Sequence, residues 1–67
     1  MNYYEVGLVA YDGFDNICIY KSVEKYGIND CVLVEYRNTK RVGIVISNMN
    51  KPNFECKSIL ETVLRRN

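Results

Sequence analysis

Two apolar, β-branched runs, CVLVEYR at 31–37 and KRVGIVIS at 40–47, are separated by only Asn38 and Thr39. So short a polar spacer between such runs specifies a β-hairpin, because two residues suffice only for an antiparallel reversal. Upstream, YYEVGLVAY at 3–11 alternates, with Tyr4, Val6, Leu8 and Ala10 on one face and Tyr3, Glu5, Val9 and Tyr11 on the other. That period of two is the signature of a half-buried strand. Gly7 in its middle suggests a bulge or sharp bend. ICIYK at 17–21 reads as a further strand, and SVEKYGIND at 22–30 as a loop whose turn chemistry lies in Gly27 and Asn29-Asp30. NMNKPNF, 48–54, holds the chain's one proline and three asparagines and reads as a loop. Four strands with turns between them imply a small antiparallel sheet curling into a barrel.

The tail, ECKSILETVLRR, has two readings. Ile59, Leu60, Val63 and Leu64 sit at helical spacing, and Ser58 with Glu61 could form a capping box. As a strand, the same residues would be buried on both faces. The helical spacing is slightly the better local match. The expected fold is therefore mainly β: an antiparallel, OB-like barrel of about five strands, with the last segment a strand or a short helix. At 67 residues it forms one domain, 1–67, and 48% hydrophobic residues with six tyrosines and two phenylalanines give it a core.

Nine basic and eight acidic side chains leave a formal charge of +1, which excludes binding of nucleic acid through bulk charge. No apolar run approaches the ~20 residues that cross a bilayer, so no membrane partner is expected. Met1 leads directly into a strand-like segment without a basic-then-apolar leader, and a cytoplasmic location is expected. Cys18, Cys31 and Cys56 lack Cys-x-x-Cys spacing and the chain lacks histidine, so they read as free, mostly buried thiols rather than zinc ligands. Without an activating base, a catalytic thiolate has no partner. The expectation is a chain that is not an enzyme and uses no cofactor or metal.

DGFDN at 12–16 is richer than a connection needs. Phe14 either plugs the barrel or offers a stacking surface, and Asp15 is either a turn residue or a ligand-contacting carboxylate. Arg37, Lys40 and Arg41 cluster around the hairpin turn, as solvated edge charges or as a phosphate-contacting patch. Lys57 reads as a surface lysine, Arg65 and Arg66 as a solvated end. Alternation puts Tyr11 and Tyr36 beside polar neighbours, where they are expected to be exposed.

Phe14-Asp15, Gly27, Val32-Leu33-Val34, Lys40-Arg41, Gly43-Ile44-Val45, Lys57, Ile59 and Leu60 follow one another in an order and spacing that resemble the N-terminal domain of the replication-restart helicase PriA. The resemblance covers almost the whole chain, and it implies a small OB-like barrel that captures the 3′ end of a DNA strand. It also implies a terminal-nucleotide pocket built by Phe14, Asp15 and Asn16, with Lys57 from the last segment. A stacked ring supplies sequence-tolerant base contact, a carboxylate accepts from a terminal hydroxyl, and a lysine neutralises phosphate. Asn16 stands where the family has tyrosine, and Glu35-Tyr36-Arg37 where it has Pro-Phe-Gly. Arg37 there could contact phosphate or block the pocket. No phosphate loop or Cys-rich zinc segment of a helicase is present. The expected function is a non-catalytic module that binds single-stranded or 3′-ended DNA as a replication or mobile-element accessory. The alternative is a protein–protein adaptor using the same barrel, with its tyrosines facing a protein partner.

Overall fold

The computed structural model describes residues 1–65, and within them the chain is built from strands, with no helix. In chain order these are β1 (Asn2–Ala10), β2 (Gly13–Ser22), β3 (Cys31–Tyr36), β4 (Thr39–Met49), β5 (Lys57–Ser58) and β6 (Glu61–Leu64). They form one curled sheet in the order β5-β2-β1-β4-β3-β6. The pairings are antiparallel except for two residue pairs of β2 with β5. The fold is a small β-barrel-like sheet, as the alternation implies.

The concave face collects the alternating residues of β1, Tyr4, Val6 and Leu8, with Tyr20, Val32, Val34, Val45 and Ile59. All are 9% exposed or less. Gly43 lies opposite Leu8, and a Cβ there would collide with the side chain of Val6. Glycine at 43 therefore lets β1 and β4 curl tightly over the core. Two bulges flank Gly7 rather than fall on it: one between Glu5 and Val6 against β4, one between Leu8 and Val9 against β2.

The hairpin forms one residue earlier than the spacer suggests. Tyr36 pairs with Thr39, so the two-residue turn is Arg37-Asn38, with φ of 50° and 65°. A primed turn needs positive φ at both positions, which a β-branched threonine resists and asparagine tolerates. Thr39 instead opens β4, and its hydroxyl donates to the Tyr36 carbonyl at 2.8 Å. The β1–β2 connection is likewise shorter than DGFDN: only Tyr11 and Asp12 turn, and Gly13 (φ 108°), Phe14, Asp15 and Asn16 already belong to β2.

The tail corrects the helical reading. Ile59 donates its N–H to the Lys21 carbonyl on β2 and Leu60 donates its own to the Leu33 carbonyl on β3, each at 2.8 Å. Consecutive N–H groups of an extended chain point in opposite directions, so two residues join the two outer edges of the four-stranded sheet. This pairing overrides local periodicity. Of the four apolar residues, Ile59 alone is buried; Leu60, Val63 and Leu64 are 48–51% exposed, which no shared helical face or two-sided burial would give. Arg65 is held over the Tyr26 ring at 4.9 Å and donates to the Lys25 carbonyl, whereas Arg66 lies outside the described residues. No helix among the described residues is long and apolar enough to cross a membrane.

Candidate nucleic-acid interface

The β1–β2 and β3–β4 turns lie at the same end of the barrel, because Leu8 near the end of β1 pairs with Gly43 near the start of β4. Of the residues singled out for function, Phe14, Asp15, Arg37, Lys40 and Arg41 lie at or beside these turns. The β1–β2 bulge decides how. Leu8 pairs with Asn16 and Val9 with Phe14, leaving Asp15 as the extra residue on β2. A bulge re-aims a side chain, and here the Asp15 carboxylate accepts from Arg41 Nη2 at 2.9 Å. The same nitrogen donates to the Val9 carbonyl at 3.1 Å. Arg41 thus ties β4 to both strands of the neighbouring hairpin.

The Arg41 guanidinium also lies 5.9 Å from the centre of the Tyr36 ring, and Arg37 lies 5.3 Å from it. Tyr36 is half-buried beside these two cations, while Tyr11 is fully exposed, as expected for the latter only. Lys40 is exposed on the same hairpin, opposite Glu35. Beside Tyr36 runs an open cleft of about 250 Å³ between β2 and β3, lined by Cys18, Tyr20, Glu35, Arg37 and Lys57 among others. Lys57 Nζ stands 3.7 Å from Glu35 in an exposed ion pair. The buried Tyr20 reaches across and donates its hydroxyl to the Glu35 carbonyl at 2.7 Å. Burial, with the neighbouring Cys18 and Tyr36 groups, pushes its pKa up to about 12. Tyr20 therefore stays neutral at ordinary pH, a hydrogen-bond donor in the cleft wall.

Phe14 takes neither of the places considered from sequence alone in full. It is 51% exposed and does not plug the barrel. Its ring lies over Gly7 on the convex face, so close that a Cβ at Gly7 would stand 2.8 Å from ring carbon Cγ. The glycine is there because an aromatic ring covers it. Asn16 is exposed, on the strand side opposite to Phe14. Lys57 pairs with Tyr20, four residues along β2 from Asn16. That is about 13 Å at the rise of an extended strand. The structure thus joins Arg41 to Asp15 and gathers Arg37 and Arg41 about Tyr36, with Lys40 on the same hairpin, but it does not bring Phe14, Asp15, Asn16 and Lys57 into one pocket.

Two contributors were not singled out as site residues from sequence: the Tyr36 ring and the Val9 carbonyl. The first was within reach, since a tyrosine beside arginines at a hairpin turn is an aromatic set among cations. The second depends on a bulge that sequence spacing does not encode. The chain matches no family model, no curated protein and no solved structure.

Proposed function

We propose that the protein is a non-catalytic nucleic-acid-binding module that holds single-stranded or 3′-ended DNA against the β3–β4 hairpin. The observation that carries this reading is the Tyr36 ring with the guanidiniums of Arg37 and Arg41 at 5.3 and 5.9 Å from its centre. An aromatic face stacks any base, and the flanking cations track phosphates, so the set suits a flexible strand read without sequence preference. The turn itself adds support. Position 37 has φ of 50°, where turn chemistry asks for asparagine, aspartate or glycine, yet it carries a long cation. A local rule broken at an exposed position points to selection for something other than stability.

On this reading the strand is bound along the hairpin, by Tyr36 with Arg37, Lys40 and Arg41, with Lys57 at the cleft. Recognition of a 3′ terminus would draw on Asp15 and Asn16 at the neighbouring bulge. The chain would act as an accessory to DNA processing in the cytoplasm, where its three free thiols suit a reducing environment. A protein–protein adaptor is the second reading, favoured by Val9, Phe14, Ile17 and Val42, which are 39–59% exposed on the convex face.

An NMR titration of labelled protein with two short single-stranded DNAs, identical except that one has its 3′ hydroxyl blocked by phosphate, separates these. Equal shifts at Tyr36, Arg37, Lys40 and Arg41 with both establish strand binding. Shifts at Asp15 and Asn16 that need the free hydroxyl establish end recognition. No shift at low salt overturns the nucleic-acid reading and leaves the adaptor.

A further inference from the structure

We infer that Asp15 is an internal counter-ion that occupies, on Arg41, the place a nucleic-acid phosphate would take, so that strand binding must displace it. The inference rests on the nucleic-acid reading above. Its starting point is the bulge: one extra residue in β2 delivers a carboxylate to Arg41, whose guanidinium is tied to the Val9 carbonyl and set beside Tyr36. A carboxylate and a phosphate present the same thing to arginine, paired acceptor oxygens carrying negative charge. Asp15 fills that role from within the chain.

The geometry permits exchange. Asp15 and Arg41 side chains are 46% and 25% exposed, so solvent and a phosphate reach the pair. Ion pairs this accessible contribute little net stability, which makes displacement inexpensive. Both hydrogen bonds of Arg41 to described residues leave from Nη2, while a guanidinium carries five N–H donors in a fork suited to phosphate. The Val9 carbonyl keeps the guanidinium in place when the carboxylate leaves. Glu35 plays a weaker version of the same part for Lys57. With carboxylates set against its cations, a chain of net charge +1 keeps a candidate phosphate site without a strongly basic surface.

The test is the affinity of wild type and Asp15→Asn for a fluorescein-labelled oligothymidylate, measured by anisotropy across a salt series. Asparagine keeps the shape and loses the charge. The expected result is binding about twofold to fivefold tighter at low salt, the worth of one exposed ion pair. The plot of log affinity against log salt should steepen by about 0.7, for one more phosphate neutralised. Arg41→Gln should abolish that gain in the Asp15→Asn background, and Asp15→Glu should restore the wild-type slope. If Asp15→Asn binds no more tightly and its slope matches wild type, Asp15 is a structural partner of Arg41 and the inference fails while the nucleic-acid reading stands. If wild type, Asp15→Asn and Asp15→Glu all fail to bind at low salt, the nucleic-acid reading falls and takes the inference with it.

Discussion

The two ends of the barrel solve opposite problems. Where the 23–30 loop crosses, the fold is held by inward contacts, beneath an exposed Arg65–Glu24 pair at 3.4 Å. Tyr4 accepts from the Tyr26 N–H at 2.9 Å and meets the Tyr26 ring edge-on, with centroids 5.8 Å apart. Asp30, 1% exposed, accepts from the Gly27 N–H at 2.8 Å and extends the β4 ladder through its own carbonyl. At the hairpin end the interactions face water: an Asp15–Arg41 pair, a Lys57–Glu35 pair, and a tyrosine beside two arginines. Buried hydrogen bonds cost a great deal to break, and exposed ion pairs little. The loop end is therefore built to hold the fold, and the hairpin end has groups that can change partners.

Paired tyrosine substitutions test that contrast most severely. Tyr4→Ala should cost about 3–5 kcal/mol in urea denaturation, as for a buried aromatic ring removed from a core. Tyr36→Ala should cost far less; equal losses would break the comparison. Next in size is the alkaline limb of stability, which belongs to the cleft beside Tyr36. The folded pKa of Tyr20, near 12, lies above its unfolded value near 10. Its contribution is thus complete below pH 10 and lost as pH rises through 12. The loss should reach about 2–3 kcal/mol, and Tyr20→Phe should remove that part of the pH dependence.

Binding comes third. Tyr36→Ala should weaken oligothymidylate binding by about 1–3 kcal/mol, the worth of one stacked base, with the salt slope unchanged. The smallest effect sharpens the comparison most, because its two parts have opposite signs. Arg37→Asn should raise stability by up to about 1 kcal/mol by relieving the left-handed backbone. The same change should lower affinity a few-fold; a variant that gains stability and keeps full affinity would remove Arg37 from the interface.

The legible parts of the sequence were those set by period and turn chemistry. Tyr4, Val6 and Leu8 alternate into the core, the 22–30 loop turns through Asn29 at φ 75°, and the central hairpin forms. What sequence left obscure was decided by partners far away. The tail reads as a helix because local spacing cannot register two strand edges waiting for an N–H each. The turn shifted by one residue, and that shift is what places Arg37 at the turn. Asp15 looked like a loop carboxylate because a bulge leaves no mark in composition. Phe14 looked like core because Gly7, the residue it covers, gave no sign of what lay above it.

The joining of two edges by Ile59 and Leu60 has a consequence for how the protein meets copies of itself. With residues 57–64 lifted away, the outer sides of β2 and β3 each present unpaired N–H and C=O groups. Unpaired edges invite pairing with other chains. One short segment thus guards both sides of the sheet, and its release would open the chain to self-association on two fronts at once.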